Sequence, residues 1–182
     1  MVNSETQGVR VAFSLSTAAG RADSPRPPKL SGPPEGGWAP LVEAAAREVL
    51  ETMMGGSLVP VAEPVPPDGE ITAMVGLAGG LCAVLSVRCR FTTANLFASR
   101  MLGVGMHQAE PATLDALGEI ANVVAGCLKT KVPDLADTCF LSTPAVVMGH
   151  DFKIYSLGHS STTEVAFDFE GARVWFGLDV HQ

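Results

Sequence analysis

The chain has 182 residues, of which 47% are hydrophobic, 17% charged and 6% aromatic; that suffices for one domain with a well-buried core, and two would be cramped. A net charge of −7 with no cluster of Lys and Arg excludes a phosphate-backbone partner, so no nucleic acid is expected. No apolar run approaches the roughly 18 residues that cross a bilayer, and no basic-then-apolar start marks a secretory leader, so no membrane partner and a cytoplasmic location are expected.

Residues 1–37 are rich in Ser, Pro, Gly and Arg and cannot bury enough apolar surface to offset chain entropy, so they read as a disordered tail, with a short strand possible over 9–15. The folded domain is expected over 38–182. Trp38 and Pro40 open an amphipathic helix through Leu41, Ala44, Ala45, Val49 and Met53, stopped by Gly55-Gly56. Extended segments follow at 58–62, 71–77 and 81–90, the last two joined as a hairpin around Gly79-Gly80. Thr92 or Thr93 is a candidate cap for a helix running to Leu102 and ending at Gly103. Glu110-Pro111 opens another helix, with Pro133 just beyond its end. The rest, 138–180, is rich in Val, Phe, Thr and Trp with Gly punctuation and predicts three or four antiparallel strands, one turn lying at Glu170-Gly171. The fold class is therefore α+β, an antiparallel sheet packed with helices, its core built from Ala, Val, Leu and Met.

The chemistry concentrates in the helix after Pro111. At about 100° per residue, Asp115, Glu119, Asn122 and Gly126 fall within roughly 40° of one direction, while Leu117, Ile120, Ala121, Val124, Cys127 and Leu128 occupy the other side. The polar stripe is short-chained, and Gly126 extends it with no side chain, leaving room for another surface. Other constellations are weaker. Cys82, Cys89, Cys127 and Cys139 form no C-x-x-C pair and read as reduced thiols. His107, His150, His159 and His181 share no ligand spacing with Cys, Asp or Glu, so no metal site is expected. No G-x-S-x-G elbow is present, and Gly76-Leu-Ala-Gly-Gly80 lacks the Lys and helix of a phosphate loop.

Asp115, Glu119 and Asn122, at spacings of four and three, with Pro144 some twenty residues on, resemble the signature of the chemotaxis phosphatases of the CheX, CheC and FliY type, and the likeness extends over about 38–182. The resemblance implies a pseudo-duplicated CheC-like single domain that hydrolyses the aspartyl phosphate of a CheY-like receiver domain and so ends a two-component signal. It implies that Glu119 and Asn122 are catalytic, with Glu119 meeting a Lys of the receiver, that Asp115 and Pro144 support them, and that Glu119, Asn122 and Gly126 face the partner. The chemistry asked of Asn122 is modest: an amide can accept from an in-line water and donate to a phosphoryl oxygen. The chain then needs no cofactor of its own, the Mg²⁺ arriving with the phosphorylated receiver. A homodimer is expected, since apolar C-terminal strands would leave an exposed edge. The alternative is a receiver-binding or flagellar-switch adaptor without turnover. Under a duplication, laying the motif helix on the first helix pairs Asp115 with Arg47, Glu119 with Glu51, Asn122 with Met54 and Gly126 with Leu58, while Pro144 meets Gly76; the first copy then keeps the Glu and loses the amide.

Overall fold

Helix α1 (Ala39–Met54) begins with Pro40 in its first turn and ends where Gly55 takes φ 60° and bonds its N–H to the Glu51 carbonyl. The computed structural model describes residues 30, 32–62, 71–149 and 160–181; residues 9–15 and most of the expected tail lie outside that set. Within residues 1–37, Leu30 donates its N–H to the Gly80 carbonyl at 2.8 Å and packs against the core, so contact with the fold begins ahead of Trp38, itself buried.

After the short strand β1 (Val59–Pro60), β2 (Ile71–Gly79) and β3 (Ala83–Cys89) form the expected hairpin, with Leu77 opposite Ala83. Gly79 sits at φ 110° with the Thr138 carbonyl where a Cβ would stand, so only glycine fits there. Helix α2 (Phe91–Leu102) ends at Gly103 with φ 66°. Its start differs from the expectation: Arg90, still extended from β3, holds the cap position without a side-chain bond. The helix grows directly out of the strand, which places Thr92 and Thr93 inside its first turn, Thr93 buried. Helix α3 (Met106–Ala109) and a 3₁₀ turn over Glu110–Ala112 lead into α4 (Thr113–Lys131), and α5 (Pro133–Ala136) follows at once. The last third forms four strands, β4 (Cys139–Leu141), β5 (Ala145–Met148), β6 (Ser160–Phe169) and β7 (Ala172–His181), with Glu170 and Gly171 both at positive φ in the β6–β7 turn.

All pairings are antiparallel, in the order β1-β6-β7-β3-β2-β4, with β5 continuing beyond β4 along β2. Helices α1, α2 and α4 pack on one another and on one sheet face. That face receives Ile71, Ala73, Val75 and Leu77 from β2, Leu85 and Val87 from β3, and Val174, Phe176 and Leu178 from β7. The core is largely Ala, Val and Leu as expected, but its largest fully buried side chains include Phe97, Phe167, Phe169 and Phe176. Two edge-to-face pairs, Phe97 with Phe169 and Phe167 with Phe176, each have centroids 6.0 Å apart.

The sheet is symmetric about its β7–β3 centre. The hairpins β2–β3 and β6–β7 flank it, β1 of the first half pairs with β6 of the second, and β4 and β5 of the second pair with β2 of the first. The helices repeat as well. The buried residues of α1, Val42, Ala45, Ala46, Val49, Leu50 and Met54, fall in order on Thr113, Ala116, Leu117, Ile120, Ala121 and Ala125, all buried in α4. This register pairs Glu119 with Glu48, Asn122 with Glu51 and Gly126 with Gly55. It replaces the pairing read from sequence, which would lay the half-exposed Asn122 on the core residue Met54 and Gly126 on the buried Leu58.

Candidate functional site

Helix α4 is electrostatically well placed: Asp115 lies in its first turn and Lys129 and Lys131 in its last, each opposing the local end of the helix dipole. Its buried residues pack inward and leave the polar stripe outside. Asp115 and Glu119 are exposed, and Asn122 and Gly126 are half-buried. Among the described residues none bonds or pairs with the side chains of Asp115, Glu119 or Asn122. Three polar groups on one rigid face thus keep their hydrogen-bonding capacity for something outside the chain.

Pro144 lies beside this stripe. The connection 142–144 between β4 and β5 is fastened to β2, because Ser142 donates its N–H to the Gly76 carbonyl at 2.9 Å and its hydroxyl accepts from the Gly76 N–H at 2.9 Å. The exposed Pro144 is thereby held against α4 at Gly118, where a Cβ would stand 3.5 Å from both Pro144 Cβ and Val146 Cγ2. Asp115, Glu119, Asn122 and Gly126 therefore share one stripe, with Pro144 next to its centre. Sequence reading missed Gly118 and Ser142. Gly118 carried a signal, since a glycine inside a helix costs roughly 1 kcal/mol against Ala and wants a reason.

Gly126 carries the same signal, and nothing among the described residues lies within 4 Å of where its Cβ would be. A groove of about 610 Å³ crosses α4 at this point, running from Thr52 and Met53 of α1 over Val123, Gly126 and Cys127 to Leu141 of β4. Its charged neighbours are engaged within the chain: Lys131 Nζ donates to Glu48 at 2.6 Å, and Lys129 Nζ to the Cys139 carbonyl at 2.7 Å. The Lys131 hydrogen bond holds the Glu48 carboxyl below its ordinary range, and the same bond raises Lys131. Burial pushes the Cys127 thiol up, as it does Cys139, so neither is an activated thiolate. None of the four cysteines forms a disulfide. Among the described residues no three His, Cys, Asp or Glu gather as a metal site, and His150 and His159 lie outside that set. No described helix is long and apolar enough to cross a membrane.

The family model for chemotaxis phosphatase CheX matches residues 71–170, more than half of the chain. The chain belongs to the CheX family. A curated relative, the CheY-P phosphatase CheX of Thermotoga maritima, is 34% identical over 91 residues, which is 49% of this chain and 58% of that protein's length. The structure is similar to a CheX from Desulfovibrio desulfuricans at 25% identity and a TM-score of 0.65, covering 79% of this chain and 98% of that one. It also shares its fold with the CheX in a CheX–CheY–BeF3–Mg²⁺ complex from Borrelia burgdorferi, at 20% identity and a TM-score of 0.65 over 80% and 98% of the two chains. CheX membership agrees with the antiparallel α+β architecture.

Proposed function

We propose that this chain hydrolyses the aspartyl phosphate of a CheY-like receiver domain and that Asn122 and Glu119 of α4 perform the task. The observation that carries the reading is the stripe itself: an acid and an amide one turn apart, solvent-accessible and without partners among the described residues, in a CheX-family protein whose Thermotoga relative is named a CheY-P phosphatase. Hydrolysis needs a water in line with phosphorus and little proton abstraction, because the transition state is loose. Asn122 Oδ1 accepts from that water while Nδ2 donates to a phosphoryl oxygen. The water oxygen bonds phosphorus, the bond from phosphorus to the receiver's aspartate breaks, the carboxylate leaves with the electron pair, and inorganic phosphate departs. Glu119 pairs with a receiver Lys and sets the register of the two proteins. Pro144, fastened through Ser142, steadies α4 at Gly118, and Asp115 supports the stripe at its start. The Mg²⁺ comes with the receiver, a reading supported by the presence of Mg²⁺ in the Borrelia CheX–CheY complex.

The test is single-turnover phosphate release from a panel of receivers of the same genome, each phosphorylated by a small phosphodonor with Mg²⁺. At least one receiver should lose its phosphoryl group faster with the protein present. Asn122→Ala should still bind it and release phosphate on the order of a hundredfold more slowly. Wild-type turnover by that variant would remove the catalytic role and leave an adaptor.

We also propose a homodimer. Both sheet edges involve strands of the C-terminal region: β7 is interior, while the outer edge of β6 ahead of β1 is Ser- and Thr-rich, without a strand partner among the described residues. The exposed apolar side chains Phe140 and Met148 stand on the opposite edge, on β4 and β5. Either edge offers sheet continuation between chains. Sedimentation at micromolar concentration should show twice the 18.9 kDa chain mass; a single species at that mass would exclude the dimer.

A further inference from the structure

The groove across α4 at Gly126 lies one helical turn beyond Asn122, where a partner engaging that amide would meet it. Resting on the phosphatase reading above, we infer that the groove receives an apolar side chain of the same receiver, carried on the segment beside the phosphorylated aspartate. The lining sets the chemical class. Met53, Val123, Cys127 and Leu141 offer half-exposed apolar surface, and the charged neighbours Glu48, Lys129 and Lys131 already have partners inside the chain. An ionic ligand would find no unpaired charge there, whereas a Leu-, Ile-, Met- or Phe-like group would remove apolar surface from water.

Position sets the occupant. Gly126 follows Asn122 by one helical turn, about 6 Å along the axis and close to the same direction. A receiver that brings its phosphoryl group to Asn122 lays the chain next to that group over the following turn. A side chain at 126 would hold that segment off, and glycine lets it descend between α1 and β4. Among the described residues nothing demands the glycine, since a Cβ there meets none of their atoms within 4 Å.

The experiment compares Gly126→Ala and Gly126→Leu with wild type, using the receiver that wild type dephosphorylates. Gly126→Leu should raise KM at least tenfold with kcat within about threefold, Gly126→Ala should fall between, and both should unfold at or above the wild-type midpoint, because a glycine leaves a helix. Leu141→Ser should raise KM in the same sense. Replacing the receiver's apolar residues beside its phosphorylated aspartate by alanine should weaken the wild-type complex and leave the Gly126→Leu complex little changed. An unchanged KM for Gly126→Leu overturns the inference. So does a change in sedimentation of that variant, which would give the groove to a second copy of this chain. Asn122→Ala, assayed alongside, separates the failures: loss of turnover there with normal KM for Gly126→Leu discards only the groove, while retained turnover discards the reading beneath both.

Discussion

Helices α1 and α4 bury residues in the same pattern and differ in what they do with their outer faces. At the matched positions α1 carries Glu48 and Glu51 where α4 carries Glu119 and Asn122. Glu48 is bound by Lys131 at 2.6 Å, and Glu51 by Arg47 at 3.2 Å. Arg47 also reaches Glu43, donates to the Leu58 carbonyl at 2.8 Å and stands over the Phe167 ring at 5.5 Å. The carboxylates of α1 are therefore engaged within the chain, while among the described residues Glu119 and Asn122 of α4 are not. The buried pattern builds two equivalent halves of a fold; whether a half can engage a partner depends on whether its outer polar groups are already satisfied.

Exchanging charge at the matched positions tests that contrast most strongly. Glu119→Ala should weaken receiver binding roughly fivefold at low salt, about 1 kcal/mol, and the loss should shrink as salt screens the native pair. Glu48→Ala removes a charge already engaged by Lys131 and should leave binding within twofold. Titration calorimetry at two ionic strengths decides it. Equal losses from both variants would mean that the receiver pairs its charge with α1 as well, and the outer carboxylates of the two helices would no longer differ in role.

The contrast also shows what the sequence could convey. Helix and strand positions were readable because the periodicities were strong and glycines or prolines closed most elements, as at Gly55, Gly103 and Pro133. The stripe Asp115, Glu119, Asn122 and Gly126 was readable because its geometry is local to one helix. The duplication register was not, since α1 and α4 have different lengths and α1 has no amide to align; only which side chains are buried fixes it. Pro144 could be matched to a family pattern, but its seat on Gly118 depends on hydrogen bonds between Ser142 and Gly76, far apart in sequence. The start of α2 was misplaced because Thr92 and Thr93 are good caps in isolation, yet the chain leaves β3 already aimed along the helix. The groove was invisible for a similar reason, its walls coming from α1, α4 and β4.

The matched pair Arg47 and Gly118 sharpens the contrast through stability alone, with no expected effect on turnover. Arg47→Ala gives up the bond to the Leu58 carbonyl, the ion pairs along α1 and the stacking on Phe167, and should destabilise by about 1–2 kcal/mol. Turnover should not change, because α1 takes no part in the chemistry. Gly118→Ala acts in the other direction. The added methyl meets Pro144 and Val146 at 3.5 Å, ordinary contact distance, so the gain in helix propensity should survive as about 0.5–1 kcal/mol of added stability. Pro144 keeps its place and turnover should again hold. Urea unfolding of both variants, with phosphate release measured on the same preparations, checks the pair. A less stable Gly118→Ala protein would show that Pro144 needs the bare glycine, and a slower one that the Pro144 contact sets the position of Glu119 and Asn122 more finely than packing alone requires.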